Sequence, residues 1–323
     1  WVNRVNISLN LPLSYAHYGF DKAIANHNEG YFSPSLSFNW KPNNHFSGTI
    51  RAGLGRSPMS LDLIHPGLIM SSYRTLKAGL EQFYNSSSQN VSANLSYKHT
   101  RYGLFANGMV LHSWTHVPYT MVQQLYGDYV TYSYADSRND GKMLLVLGNI
   151  GKTLDFMRGS CNVNGSFRRN ESHLFSQSKA VNSVSNGWSV GGKISGNPCS
   201  WFSFDYRIDY SDNLLTMNGQ SKSWLSTLEN ELSLIFVPHS KWQWTVSGDH
   251  YCNELTEHNF KNVVMLDTKL TYQLNKRIEF STSITNILDK RTYNYTTYSE
   301  LTSFESQRQL RGRQILFSIV LRK

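Results

Sequence analysis

Apolar and polar residues alternate along most of this chain, and the alternation is clearest near the C-terminus. In residues 277–286 the apolar positions occupy one face of an extended segment and hydroxyl or acidic positions occupy the other, and residues 311–323 repeat the pattern. Because successive side chains of a β-strand point to opposite faces, the pattern predicts strands with one apolar and one polar face. Such strands of roughly ten residues are what a transmembrane β-barrel needs, since lipid contacts one face and a wet lumen the other.

The same pattern runs through the whole chain and predicts an all-β, antiparallel transmembrane β-barrel of about 14 strands. The first strand is expected at residues 2–13, and residues 32–40 are expected to form another. Short turns are expected near residues 41–45, 99–101, 153–156, 197–200, 238–240 and 275–276. Long loops are expected at residues 57–88, 115–140 and 293–310. Short turns at one end and long loops at the other are typical of the periplasmic and extracellular ends of outer-membrane barrels. The final strand is then expected to leave Lys323 in the periplasm.

Composition narrows the choice between a barrel and other folds. The chain is 40% hydrophobic, its mean hydropathy is -0.42, and no run approaches the ~20 apolar residues of a spanning helix. Aromatic residues make up 13%, and Trp40, Tyr97, Trp201 and Trp242 lie beside expected short turns. Tyr and Trp suit the boundary between lipid and water. A soluble β-sandwich also alternates, but its strands are shorter and its aromatics lie in a core.

The net charge of +9 comes from 31 basic and 22 acidic residues. No run of five basic residues and no zinc, RNP or helix-turn-helix pattern accompanies this charge, so no nucleic-acid partner is expected. A solvated basic surface or contact with anionic lipid head groups explains it more simply. Cys161, Cys199 and Cys252 cannot all pair and form no CxxC motif.

Three short motifs carry a resemblance to a known family. Residues 286–293, read as N-I-L-D-K-R-T-Y, stand where the penultimate strand of that family ends, and residues 308–314, R-Q-L-R-G-R-Q, lead into the last strand. Residues 70–76, M-S-S-Y-R-T-L, lie beyond a hairpin containing residues 33–36. In these segments the chain resembles the C-terminal barrel portion of TonB-dependent outer-membrane receptors. The second and third motifs are similar to those of the branch known simply as outer-membrane β-barrel family proteins. It departs from many outer-membrane strands by ending in Leu321, Arg322 and Lys323 rather than in an aromatic residue.

The resemblance implies a receptor and transporter in the outer membrane of a Gram-negative bacterium. Family barrels have about 22 strands, so residues 1–323 are expected to be the C-terminal portion, with the plug and early strands absent. Because no leader precedes Trp1, we expect either a processed signal peptide or a longer parent protein. The implied partners are outer-membrane lipid, an unknown nutrient, TonB acting through a plug not in this chain, and a surface lipoprotein. Neither an enzyme activity nor a cofactor is expected. A self-contained pore or adhesin remains an alternative.

Two groups of residues are candidates for function. Charged residues on the polar faces are expected to line the lumen: Asp205, Arg207, Asp209, Glu229, Glu231, Asp267, Lys269 and Glu279. Since both signs occur on several strands, a structural charge ladder is favoured over catalytic pairs. Tyrosines concentrated in the loop at residues 115–140 are expected to offer a stacking surface for a ligand: Tyr119, Tyr126, Tyr129, Tyr132 and Tyr134.

Two further patterns are judged coincidental. Residues 187–191 match the G-x-S-x-G elbow of serine hydrolases, but that elbow requires a strand-to-helix turn and here the strand alternation continues past Ser189. A barrel-embedded hydrolase is therefore a minor alternative. His112 and His116 share a strand face, and His250 and His258 are no better placed, but neither pair has the third ligand that a metal site needs. No metal site is predicted.

Overall fold

The computed structural model describes residues 4–19, 26–65, 67–176, 179–221, 224–256, 258–298 and 303–322. The first twelve strands, numbered in chain order, are β1 Val5–Asn10, β2 Leu13–Tyr18, β3 His27–Phe32, β4 Ser35–Trp40, β5 Phe46–Pro58, β6 Leu68–Ser72, β7 Thr75–Ala78, β8 Asn85–His99, β9 Leu104–Val117, β10 Thr120–Tyr126, β11 Tyr129–Ala135 and β12 Asn139–Leu154. The remaining strands are β13 Gly159–Ser176, β14 Lys179–Cys199, β15 Phe202–Met217, β16 Gln220–Ser221, β17 Leu225–His239, β18 Trp242–Thr256, β19 Asn259–Gln273, β20 Ile278–Thr285, β21 Thr292–Tyr298, β22 Ser303–Gln309 and β23 Gln314–Leu321. Three single 3₁₀ turns accompany them, at Leu61–Leu63, Thr100–Tyr102 and Asp155–Met157.

Fourteen of the described strands form one antiparallel meander, which agrees with the predicted number. Each pairs with the next in the order β1, β4, β5, β8, β9, β12, β13, β14, β15, β17, β18, β19, β20 and β23. The other strands extend the connections between meander strands. No helix of the described residues is long and apolar enough to cross a lipid bilayer.

The registers align the apolar faces of neighbouring strands into one continuous surface. Leu232 of β17 lies opposite Tyr206 of β15 and Gly248 of β18, and Ile208 continues the β15 side of this surface. Leu232 keeps 40% of its surface exposed. A soluble sheet buries such a face in a core, whereas a sheet in a bilayer presents it to lipid. The exposed apolar face therefore has the arrangement that the alternation predicts.

All six predicted short turns lie at one end of the meander, here called the turn end. Two of them are closed by asparagine. Asn43 Oδ1 accepts hydrogen bonds from the backbone N–H groups of His45 and Phe46, both at 2.8 Å. Asn275 Oδ1 does the same for Arg277 and Ile278 at 2.9 Å. Because an asparagine side chain can replace a backbone partner two residues on, each turn needs only a few residues.

An aromatic belt lies next to the turn end, as predicted. The Trp242 and Tyr272 rings are 4.5 Å apart, and the Phe236 ring lies 5.3 Å from that of Trp244. Trp201 continues the belt through contact with Phe236. Such rings suit a level where one edge is apolar and the other is wet.

The predicted strands at residues 2–13 and 32–40 are wrong in their continuity. The first breaks at Pro12 into β1 and β2, and the second breaks at Pro34 into β3 and β4. Val2 lies outside the described residues. Both strands break at a proline because proline has no backbone N–H to donate to a neighbouring strand. Between the two breaks, Ser33 N donates a hydrogen bond to Pro12 O at 3.3 Å. Beyond the break, β2 and β3 form a separate hairpin.

The three predicted long loops are not irregular. They contain the β6–β7, β10–β11 and β21–β22 hairpins, and the flanking meander strands extend into the first two of the predicted loop ranges. This end, the loop end, also holds the described buried apolar side chains, which include Leu174 at 2% and Leu255 at 3% exposure. The chain thus buries apolar groups within itself at the loop end and exposes them along the meander.

Both outer strands of the meander have a free edge in the part of the chain that the structure describes. β1 pairs only with β4, and β23 pairs only with β20. Free N–H and C=O groups at such edges are costly in lipid, which is why transmembrane sheets close into barrels. In a membrane the backbone N–H and C=O groups along these two edges would need hydrogen-bond partners.

Candidate functional site at the loop end

Additional strand pairings within the main sheet organise the loop end. Strand β7 pairs in parallel with β11 at three positions, and β10 pairs in parallel with β13 through Val122 with Phe175 and Gln123 with Ser176. Gln123 is 4% exposed and Thr120 is 1% exposed. The Thr120 hydroxyl donates to Ser137 O at 2.8 Å, which closes the base of the β10–β11 hairpin. These contacts hold the hairpin firmly against the meander.

The five candidate tyrosines do not form one stacking surface. In the β10–β11 hairpin, Tyr132 lies opposite buried Gln123, and Tyr134 shares its face. Tyr126 and Tyr129 pair with each other on the opposite face, beside the turn, and keep 61% and 47% of their surface exposed. The sequence could not show this division, because it depends on where the hairpin turn falls. Gly127, at φ +56°, sets that position.

Tyr119 and Tyr134 belong to an internal aromatic cluster. Their ring centroids are 5.7 Å apart in an edge-to-face arrangement, and the Tyr84 ring lies 6.0 Å from that of Tyr119. Burial raises the pKa of Tyr119, and the carboxylate of Asp62 raises it further. Burial also raises the pKa of Tyr134, with added repulsion from Tyr119 and Asp62. The cluster thus packs one face of the hairpin against the rest of the loop end and leaves Tyr126 and Tyr129 exposed.

All eight candidate lumen residues lie on the polar face of the meander. Three cross-strand pairs show the arrangement: Arg207 with Glu231, Asp209 with Glu229, and Thr245 with Lys269. The face is the one opposite Leu232, because a strand alternates its side chains. The predicted grouping is correct, and its role as a lumen lining stays a prediction.

Ion pairs join part of this charged face. Lys193 Nζ lies 2.9 Å from Asp205 Oδ2, Arg207 is hydrogen-bonded to Asp209, and Arg322 lies 2.7 Å from Glu279. Asp267 accepts a hydrogen bond from the backbone N–H of Asn286 at 2.7 Å. Pairs that alternate in sign across several strands form the charge ladder that the sequence indicates. Exposed pairs of this kind contribute little to stability.

The N-I-L-D-K-R-T-Y motif forms a cluster of hydrogen bonds at the loop end of β20. Asn286 is 8% exposed and has a φ of +51°. Its side-chain N–H₂ donates to Lys290 O at 2.7 Å and Arg311 O at 2.8 Å, and its Oδ1 accepts from Lys290 N at 2.9 Å. Asp289 Oδ1 accepts from Arg313 N at 2.8 Å. The motif residues therefore tie the end of β20 to the segment that enters β23.

The same hydrogen-bonded cluster includes an arginine of the R-Q-L-R-G-R-Q segment. Arg313 Nε donates to Ile287 O at 2.9 Å, and Arg291 pairs with Asp289 at 3.0 Å. These contacts lower the pKa of the Asp289 carboxyl, chiefly through the backbone N–H of Arg313 and then through Arg291. A Cβ at Gly312 would contact the guanidinium group of Arg291, the flexible end of a side chain that can move aside. The two motifs therefore contact each other and have a structural role at the loop end.

The structure places the residues of the serine pattern and of the first histidine pair on strands and next to other side chains. Ser189 lies in the middle of β14, and its Oγ is 2.7 Å from Ser166 Oγ on the neighbouring strand. His112 packs edge-on against Trp114, with ring centroids 3.9 Å apart, and His116 Nδ1 lies 2.7 Å from Asp140. His258 donates its backbone N–H to Glu254. Within the described ranges no group of three histidine, cysteine, aspartate or glutamate residues could hold a metal.

One buried polar centre was missed by the sequence reasoning. Glu254, 7% exposed, accepts backbone hydrogen bonds from Ser226 at 3.1 Å and His258 at 2.9 Å. Asn253, 2% exposed, donates to Tyr293 Oη at 3.0 Å and Asn294 O at 3.1 Å. Strict alternation places neither residue in a core, because it says nothing about loop hairpins folding back on strand ends.

Comparison with known proteins supports this architecture through structure alone. The chain matches no protein-family model, and no curated protein matches it in sequence. It is similar to the ferric enterobactin receptor PfeA from Pseudomonas aeruginosa, with a TM-score of 0.55 and 11% identity over 91% of this chain and 45% of that chain. It is also similar to the siderophore receptor PirA from the same organism, with a TM-score of 0.52 and 8% identity over 100% of this chain and 54% of that chain.

The chain has the fold of a TonB-dependent receptor barrel. It spans about half the length of the receptors that it resembles. The predicted resemblance and the all-β barrel fold are confirmed. The predicted outer-membrane location agrees with these outer-membrane structures.

Proposed function

We propose that this chain forms part of the wall and the external loops of an outer-membrane receptor that takes up a scarce nutrient. The observation that carries the proposal is the combination on one meander of an exposed apolar face, a charged opposite face and structured hairpins at one end only. A wall exposed to lipid needs the first, a wet lumen the second, and ligand recognition outside the membrane the third. The similarity to siderophore receptors supports the same proposal at the level of fold.

The free edges of β1 and β23 support a larger parent barrel. In this proposal residues 1–323 are the C-terminal portion, and strands that precede them pair with both edges. A plug would then occupy the lumen, the charge ladder that includes Arg207 and Glu231 would hold it, and TonB would act on it from the periplasm. In an open barrel the same ladder would instead set ion preference.

Ligand binding is assigned to the exposed side of the β10–β11 hairpin. Tyr126 and Tyr129 lie at its tip and offer flat contact area at low entropic cost. A sugar, an aromatic compound or a metal chelate would suit these rings. Removal of residues 117–137 would abolish binding, but it would also remove buried Thr120 and Gln123. Substitution of the two exposed tyrosines therefore tests the assignment more cleanly.

The test uses cells that produce the complete receptor and radioactive ferric enterobactin as the first probe, because PfeA is a receptor for that compound. Uptake that disappears without TonB and weakens about tenfold in the variant Tyr126→Ser/Tyr129→Ser supports the proposal. Tyr73→Ser, an exposed tyrosine of the neighbouring hairpin, serves as the control. If this probe is not taken up, a panel of sugars and chelates repeats the assay.

Two other functions predict different results. A self-contained pore would conduct ions across a planar bilayer as the isolated 323-residue chain, without TonB. We expect the isolated chain instead to aggregate or to lack the heat-dependent mobility shift of closed barrels, because its edges are free. A hydrolase would lose activity in Ser189→Ala. The continuous strand at Ser189 gives that reading no support.

A further inference from the structure

Three glycines form a cross-strand row on the apolar face. Gly148 of β12 lies opposite Gly108 of β9 and Gly165 of β13. A Cβ placed on Gly108 or Gly148 would meet no atom within 4 Å. On these three strands the neighbouring rows of the same face carry alanine, valine, isoleucine or phenylalanine, whereas this row carries only hydrogen, so the outer wall is hollowed.

Larger side chains make this hollow a groove of about 520 Å³. Leu95 and Tyr97 border it on one side and Val190 on the other, while Ile150 and Val163 lie on its turn-end side. The volume is within the range of small-molecule binding sites. Because the groove opens on the exposed apolar face, its occupant must be apolar along its length.

A polar cluster lies between the groove and the turn end. The His45 and His99 rings stack with centroids 4.5 Å apart and an interplanar angle of 4°, and the Tyr102 ring lies 4.4 Å from His99. His99 Nδ1 is buried and has no hydrogen-bond partner among the described residues. Lys152 shares the cross-strand row of His99 through Leu104 and is exposed. A lysine on the apolar face can extend its amine to the membrane surface.

Basic residues are concentrated around the whole turn end. Among the described residues, ten exposed lysines and arginines lie there: Arg4, Lys41, Lys98, Arg101, Lys152, Arg158, Lys241, Lys276, Arg277 and Arg322. Near the described turns the acidic residues are Asp155 and Glu279, and Glu279 is paired with Arg322. The basic excess of the described residues is thus concentrated beside the aromatic belt.

We propose that the glycine groove binds one acyl chain of an anionic phospholipid whose phosphate lies over His99 and Lys152. Gly148 and Lys152 are four residues apart on one strand, or about 13 Å. This distance is close to half the ~30 Å thickness of a bilayer core, so one lipid in one leaflet can reach both. A positively charged rim selects an anionic head group, and an apolar groove holds a chain that enters from the membrane. The inference requires the transmembrane fold but not nutrient uptake.

The test measures lipid retention by native mass spectrometry on the complete protein extracted from its membrane. The probes are phosphatidylglycerol and phosphatidylcholine with identical acyl chains. The protein is expected to retain phosphatidylglycerol more strongly. Gly148→Leu fills the groove, and Lys152→Gln removes the nearest amine. Each is expected to reduce phosphatidylglycerol retention about fivefold, which is the effect expected from the loss of one surface charge or of a few apolar contacts.

Two matched variants control for general effects. Gly248→Leu adds the same bulk to the apolar face of β18, where a Cβ makes ordinary contact at 3.7 Å, and Lys77→Gln removes a charge at the loop end. Both should retain phosphatidylglycerol as the parent does. Equal retention of the two lipids, or an equal loss in Gly148→Leu and Gly248→Leu, would overturn the proposal. If Gly148→Leu fails to fold, Gly108→Val provides the groove variant. Co-extraction of a protein at the groove in place of lipid would also contradict it.

Discussion

The middle of the meander and its loop end use the same residue types in opposite ways. Along β17 the apolar side chain of Leu232 remains 40% exposed and a charged residue, Glu231, is its neighbour on the other face. At the loop end Leu174 and Leu255 are nearly inaccessible, and polar Asn253 and Glu254 are buried with them. The apolar face in the middle of the meander needs lipid to cover it, whereas the apolar side chains of the loop end are covered by other parts of the chain.

The difference teaches which parts of the chain a pattern can predict. Alternation is dictated by two different environments on the two faces of a strand, so it persists wherever those environments persist. It predicted the number of meander strands, the six short turns and the face of every charged candidate. At the loop end the environment of a side chain is another loop, which can come from any distance in sequence. The pairing of β7 with β11 and of β10 with β13 produces no regular alternation of apolar and polar residues in the sequence.

Local chemistry explains the specific errors. Pro12 and Pro34 interrupt two alternating runs whose side-chain pattern continues unchanged, so the pattern alone joins what the backbone separates. The five tyrosines looked alike in sequence, yet Gly127 places the turn so that Tyr126 and Tyr129 are exposed and Tyr134 is packed. The Asn286 motif was noticed as a likeness, and its hydrogen bonds supply the physical reason for it.

The largest expected effect tests the contrast between the apolar and polar faces in the middle of the meander. Leu232→Arg places a charge on the face assigned to lipid, which costs about 2–4 kcal/mol near the bilayer midplane. Ser233→Arg places the same charge on the opposite face and should be tolerated. Folding into lipid vesicles, followed by the heat-dependent mobility shift, measures both variants. Equal tolerance of the two arginines would remove the distinction between the faces.

A smaller effect sharpens the contrast between the ends. Asn286→Ala removes three part-buried hydrogen bonds that join the end of β20 to Lys290 and Arg311, so it should lower the free energy of unfolding by about 2–3 kcal/mol. Asn275→Ala removes two hydrogen bonds from an exposed short turn, where water can replace them, and should cost about 1 kcal/mol or less. Urea unfolding in the same lipid measures both. A larger loss at Asn275 would reverse the assigned importance of the two ends.

The smallest expected effect concerns the packed tyrosines. Since burial raises the pKa of Tyr119 and Tyr134, their hydroxyls should ionise above the ordinary tyrosine value of 10.0. A pKa raised by folding contributes stability below the unfolded value near 10.0 that is lost as the pH rises through the folded value. Ultraviolet titration should therefore show a late phase that Tyr119→Phe and Tyr134→Phe each reduce. An unchanged late phase would mean that the cluster is open to water.

The central claim is that the apolar face of the meander contacts lipid and the polar face contacts water. It is tested most directly by single nitroxide labels at successive positions of β17 from Leu228 to Phe236, with Cys161, Cys199 and Cys252 first replaced by serine. Collisions with oxygen, which concentrates in lipid, and with a water-soluble nickel complex are then compared. The account predicts a period of two, with oxygen favoured at Leu232 and Leu234 and nickel favoured at Glu231 and Ser233. Accessibility without that period, or with its phase inverted, would contradict it.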